Sequence, residues 1–257
     1  MKTLKQLGLA ASILVPAAIA VAGASSDATV TPRVTGSAKG KIVFDGKAPE
    51  TKKLSVSAEQ GKGCCKGSMA TDCMDTADRS VMIDGNGGIK NVVVTVKMDG
   101  AEALKKAVKL DQNGCRFEPH VLVLPVGSSV DYLNSDEVSH NIHTYATKNS
   151  GLNKTVSAGS KLAQKFDKEE AIKVTCDIHP WMTSWIFVTD SPKYALTGAD
   201  GSFEIAGLEP GTHKLEFWHE SLGKGKGEVT IAADGSSEMV EIKMGGSSGK
   251  SKKKRRR

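Results

Sequence analysis

The chain has 257 residues, of which 39% are hydrophobic and only 5% aromatic, with a formal net charge of +6. That length admits one or two ordinary domains, and 27 glycines beside plentiful Val and Thr argue for strands and against a helical bundle. The positive charge is terminal. Without Lys2, Lys5 and the seven basic residues of 250–257, the remainder is mildly acidic, which excludes a generally basic body.

Residues 1–24 have the form of a secretory signal: Lys2 and Lys5, an apolar stretch over 7–21, and Ala22-Gly23-Ala24 as a small-residue cleavage site. The stretch is short for a membrane span and Pro16 interrupts it, so an uncleaved anchor is the lesser reading. The expected location is periplasmic or secreted, with membrane association as the variant. Residues 25–37 are polar and aperiodic, a flexible lead-in. A short strand is expected over 40–46, then a cysteine-rich loop over 61–78. Residues 89–98 predict a buried strand, with Val92, Val94 and Val96 on one face and Val93 and Thr95 on the other. Residues 101–109 fit a short helical turn or a loop.

Two strands are expected over 120–127 and 129–134, around the Gly127-Ser128 turn. The composition of 146–160 predicts a loop, and 161–166, 171–176 and 185–189 predict further strands. Short strands at this spacing predict a β-sandwich. After Asp190-Ser191-Pro192 the texture changes to hairpins, with strands near 203–205, 212–218, 227–231 and 239–244. A piece of only about fifty residues cannot bury a large core, so it should pack against the preceding domain or share strands with it. The division is therefore a signal over 1–24, a lead-in over 25–37, one domain over 38–190, a second over 191–244, and a Gly/Ser linker with basic tail over 245–257.

Five cysteines in an exported chain point to disulfides. Cys176 belongs to a metal motif, which leaves Cys64, Cys65, Cys73 and Cys115 for two bridges with three connectivities. Adjacent Cys64 and Cys65 are poor partners for each other. One of them is expected to reach Cys115 and the other Cys73. The rival reading is a separate metal cluster of Cys64, Cys65 and Cys73, without a His or CxxC partner.

The densest chemistry lies in Cys176-Asp177-Ile178-His179-Pro180-Trp181-Met182, with Ser139-His140-Asn141-Ile142-His143 upstream. Two imidazoles, one thiolate and a weak thioether are the ligand set of a blue-copper electron-transfer site. Pro180 stiffens the loop by fixing its own φ. Zinc would accept the cysteine and histidines but has no use for Met182. A dinuclear copper centre would need a second cysteine in the loop.

These motifs, together with Phe117-Glu118-Pro119, Gly127 and Asn134-Ser135-Asp136, resemble the cupredoxin family over about residues 90–190, with a short ligand loop most like amicyanin and the plastocyanins. The resemblance implies a Greek-key β-sandwich with one type 1 copper ion, held by His140, Cys176, His179 and Met182. It favours His140 because the family ligand precedes an asparagine, and it gives Asn141 a supporting role, hydrogen-bonding to the Cys176 loop. It also implies electron entry through an apolar patch at Pro180 and Trp181, with Trp185 either joining it or lying in the core. His143 and His120 stay open as neighbours or added ligands. Residues 197–215, through Gly201-Ser202-Phe203, Ile205, Pro210-Gly211 and Leu215, resemble the transthyretin-like sandwich of carboxypeptidase regulatory domains.

The expectation is thus an all-β, exported protein carrying single electrons between redox proteins such as a cytochrome or an oxidoreductase, and not an enzyme. The alternatives are copper delivery, or a structural sandwich with an incidental site. His213 and His219 lack the helical spacing of a zinc protease pair and read as surface or interdomain residues. The basic tail could engage anionic surfaces. Nucleic acid is not an expected partner.

Overall fold

The computed structural model describes residues 34–57, 61–64 and 76–245. The expected signal, Cys65, Cys73 and the basic tail lie outside them. Among the described residues every regular element is a strand: β1 Gly36–Phe44, β2 Val93–Val96, β3 Val108–Gln112, β4 Phe117–Glu118, β5 Val121–Pro125, β6 Ser128–Asn134, β7 His140–Thr144 and β8 Leu152–Val156. There follow β9 Lys161–Phe166, β10 Glu170–Thr175, β11 Thr183–Thr189, β12 Tyr194–Leu196, β13 Ser202–Leu208, β14 Gly211–His219, β15 Gly223–Ile231 and β16 Val240–Met244.

These strands make two sandwiches. In the first, the sheet β5-β11-β10-β7-β8 faces the sheet β4-β3-β6-β9. Alternating inward residues fill the space between them, among them Leu110, Leu124, Val130, Tyr132, Ile142, Phe166, Ile172 and Ile186. In the second, β13-β1-β16 faces β12-β2-β14-β15, around Ile42, Val94, Phe203, Ile205, Leu215, Phe217 and Val229. The outer face of β2 and β14 then packs on the outer face of β5 and β11 through Val93, Val121 and Trp218. Trp218 meets Trp185 with ring centroids 5.2 Å apart. Val93 and Val94 thus serve two different cores from one strand, because successive side chains leave a strand on opposite faces.

The pairing redistributes the chain. β1 and β2 precede every strand of the first sandwich, yet β1 pairs with β13 and β16 and β2 with β12 and β14. The sheets therefore cut across a division at 190/191. The late strands alone would leave one sheet face open, and the two early strands close it. β1 also begins at Gly36, inside the stretch read as a lead-in, where buried Ala38 and Ile42 give it an inward face. Gly40 is where β1 crosses Phe203, since a Cβ there would stand 2.6 Å from the ring.

Two other local readings change. Residues 146–160 contain β8, an edge strand whose Asn153, Lys154 and Thr155 are exposed and so carry no apolar alternation. Residues 101–109 form no helix and lead directly into β3. β5 and β6 meet at Gly127, whose φ of +78° is the left-handed turn that glycine adopts without strain. They enter opposite sheets instead of pairing with each other.

Candidate metal centre

β10 and β11 pair antiparallel as far as Thr175 opposite Thr183, so residues 176–182 form their connecting loop. Two hydrogen bonds shape it. Cys176 N donates to the Met182 carbonyl at 3.3 Å and Met182 N donates to the His179 carbonyl at 2.9 Å. β7 flanks β10 on its other side, with His143 opposite Thr175. The start of β7 therefore lies beside the loop. Strand parity then separates its two histidines: His140 shares the inward face with Ile142, both with no exposure, while His143 takes the other face.

Three donor atoms converge. His140 Nδ1 and His179 Nδ1 are 2.9 Å apart, and Cys176 Sγ lies 4.0 Å from the first and 3.8 Å from the second. With metal bonds of about 2.0 Å to nitrogen and 2.3 Å to sulfur, a shared ion would hold its donors roughly 3.3–3.7 Å apart. The set fits one ion with small adjustment. All three residues are buried, and Met182, at 0% exposure, is buried in the same cluster.

The surroundings orient this set. Asp136 Oδ2 accepts from His140 Nε2 at 2.8 Å, which makes Nε2 the protonated nitrogen and leaves the Nδ1 lone pair for an ion. The carboxylate is itself held by Gly114 N at 2.7 Å and Cys115 N at 2.8 Å. Asn141 N donates to Cys176 Sγ at 3.3 Å, and Asn141 Oδ1 accepts from Asp177 N at 3.1 Å, tying β7 to the loop. Burial pushes the Cys176 thiol up, but hydrogen bonds from His140, His179 and Asn141 N outweigh it and bring the thiol down to about 6. Burial lowers His140, and its bonds to Asp136 and Cys176 more than reverse this, so it is raised. A cation taken up by these donors would compete with protons at His140 and Cys176.

The remaining sequence candidates fall in different places. His143 pairs with exposed Asp177, Nδ1 to Oδ1 at 3.0 Å, and stacks on Tyr145. His120 is buried and hydrogen-bonds Glu220 of the second sandwich, which also accepts from Trp185 Nε1 at 2.7 Å. Neither joins the converging set. Trp185 thus belongs to the packing between sandwiches. His213 is half-buried against the Glu209 carbonyl, whereas His219 is buried and accepts from Ser221 N and Leu222 N. Cys64 and Cys115 form a disulfide, with Cα atoms 5.2 Å apart. Cys115 Sγ lies 3.9 Å from His140 Nε2, and the Cys115 carbonyl accepts from Trp181 Nε1 at 3.1 Å.

At the surface, Pro180 is exposed and Trp181 half-buried beside His179, with ring centroids of the latter two 5.1 Å apart. Two residues had no role assigned from the sequence. Asp136 stood there only as part of the Asn134-Ser135-Asp136 motif, four residues before His140. Ile178, 50% exposed next to His179, carried no signal beyond its place in the loop.

No protein-family model matches the chain, and no curated protein matches it either. Among solved structures, the chain is similar to a purple cupredoxin from Nitrosopumilus maritimus, at 23% identity over 32% of this chain and 99% of that one, with a TM-score of 0.29. It is also similar to a copper-containing nitrite reductase from Thermus scotoductus SA-01, at 25% identity and a TM-score of 0.32, over 37% of this chain and a quarter (25%) of that enzyme. A Cu(I) form of a mutant amicyanin matches at 19% identity over 37% of this chain and 98% of that one, with a TM-score of 0.31.

Proposed function

We propose that the first sandwich is a cupredoxin domain holding one type 1 copper ion, and that the protein is an exported one-electron carrier and not an enzyme. The observation that carries this reading is the buried triangle of His140 Nδ1, His179 Nδ1 and Cys176 Sγ, with sides of 2.9, 3.8 and 4.0 Å. Copper bound there would supply a couple between Cu(II) and Cu(I). His140 and His179 would hold the ion through nitrogen and Cys176 through its thiolate, with the Met182 thioether as a weak further donor. Asp136 fixes the His140 ring, and Asn141 N fixes the sulfur. Donors held by their own hydrogen bonds move little between oxidation states, which keeps the reorganisation cost of transfer low.

Electrons enter at the rim formed by Ile178, Pro180 and Trp181, with His179 just beneath it. A small apolar rim of this kind suits brief encounters with a redox protein, such as a cytochrome or an oxidoreductase. The second sandwich is read as transthyretin-like, and the basic tail as an anchor for anionic surfaces.

The test is an optical and EPR spectrum of the mature protein loaded with copper and oxidised. An intense visible thiolate-to-copper band with narrow copper hyperfine splitting is the expected result. A colourless, zinc-holding protein would sink the carrier reading. Rapid loss of Cu(I) from a coloured protein to an acceptor would replace it with delivery.

A further inference from the structure

The Cys64–Cys115 bridge lies directly beside the candidate metal centre. Both cysteines are buried, at 3% and 0% exposure. Their sulfurs and a ring nitrogen of His179 all lie within 4.8 Å of one another. On its other side, Cys115 Sγ is 3.9 Å from His140 Nε2. The bridge therefore abuts both imidazoles of the candidate centre. A disulfide sulfur is a poor metal donor, but a thiolate in the same place is a strong one.

We propose that the Cys64–Cys115 disulfide is a redox-gated second metal site, which on reduction presents two thiolates and His179 to a soft monovalent cation, Cu(I). The reductant is a dithiol. One of its thiolates attacks a protein sulfur, the Cys64–Cys115 bond breaks, and a mixed disulfide forms. The second reductant thiol then resolves it. Two electrons and two protons pass to the protein, which ends as two thiols, while the reductant ends as a disulfide. Cu(I) binding then displaces the thiol protons to water without changing the oxidation state of the ion. Cys64 closes a single turn, with its N–H on the Gly61 carbonyl at 3.1 Å, and at 3% exposure against 0% for Cys115 its sulfur is the one attacked once that turn opens. This site goes beyond electron carrying and shares His179 with the first centre. Filling the dithiol set therefore competes with the Cys176 set for one imidazole.

The experiment uses the full mature chain carrying Cys65→Ser, Cys73→Ser and Cys176→Ser, which leaves Cys64 and Cys115 as the only thiols and removes the first centre. Cu(I) is titrated anaerobically against a competing chelator, before and after reduction with dithiothreitol and its removal. The expected result is a gain of one Cu(I) per chain on reduction, with quenching of tryptophan emission, because Trp181 is hydrogen-bonded to Cys115. Adding His179→Ala should weaken binding at least tenfold. Adding Cys64→Ser, which abolishes the bridge equally but leaves one thiol, should weaken it at least a hundredfold. No gain on reduction, a gain without quenching, or an affinity indifferent to His179→Ala would each overturn the proposal. With Cys176 absent, these outcomes are independent of whether the wild-type centre holds copper.

Discussion

The two sandwiches solve burial differently. The core of the second is aliphatic and aromatic, and its buried polar groups, such as Thr95, Thr197 and His219, sit outside that cluster. The first buries Asn134, Asp136, His140, Asn141 and His179 around one end of its core. Such groups are costly to bury unless they satisfy one another. They do so here: Asn134 Nδ2 donates to the carbonyls of Val138 and Val156, Asn134 Oδ1 accepts from Asp136 N, and Asp136 holds His140. The second sandwich draws its stability from buried area. The first gives part of that up to fix the direction of three donor atoms.

The largest separation of these roles should come from Cys176→Ser. It is expected to abolish the visible thiolate band on copper loading while thermal unfolding of the metal-free chain barely moves; a retained band would show that the sulfur lies elsewhere. Phe217→Ala should do the reverse. Emptying an aromatic site costs about 3–5 kcal/mol, measurable by urea denaturation, while the native protein should keep its spectrum. A change in the spectrum at zero urea would mean that the two cores are less independent than their packing indicates.

Asp136→Asn keeps the shape but weakens the hold on His140 Nε2. Loss of such a partner typically lowers metal affinity about 10–100-fold, and a chelator competition should read it, with little effect on the second sandwich. Acidification should act on the same groups. The Cys176 thiol is brought down to about 6, below its ordinary value, so the thiolate is present above that pH and is lost below it. His140, raised above its ordinary value, must also give up its proton to bind, so metal affinity should already decline as acid protonates His140 and steepen below about pH 6, where the Cys176 thiolate is lost as well; an affinity unchanged on acidification below pH 6 would contradict this. The smallest effect is expected from Met182→Leu. If Met182 is the weak thioether donor of the proposed copper site, its loss disfavours Cu(II) more than Cu(I), so the colour should persist and the reduction potential rise.

Local chemistry was legible in the sequence, and long-range partnership was not. Cys176, His179 and Met182 share one loop, so their nearness is written in their spacing. His140 against His143 is a question of strand parity, and Ile142 between them marks the inward face only once β7 is known to cover a core. The valines of β2 announced a strand buried on both faces, which is what its place between two cores requires. Their partners, β12 and β14, lie about a hundred residues away, and no local pattern encodes such pairing. β8 was hidden because an edge strand facing solvent needs no apolar residues. Asp136 was visible as a motif residue, but its role was not, because a carboxylate reads as surface until its acceptor bonds from Gly114, Cys115 and His140 are seen.

The excursion of the chain through the first sandwich begins and ends at one spot. Val96 N meets the Lys193 carbonyl at 2.9 Å, the Ser191 hydroxyl donates to the Val96 carbonyl at 2.7 Å, and Ala101 N meets the Asp190 carbonyl at 2.8 Å. The donor-bearing layer is in that sense a cassette, opened and closed at a single doorway in a host fold. Its ends are near enough that a short peptide could rejoin them, or that a different β-sandwich could be spliced in. What prevents a clean exchange is the crosslink from Cys64, on the host's own strap between β1 and β2, to Cys115 inside the cassette. Any graft onto this host must bring a cysteine to that place or leave the strap untied.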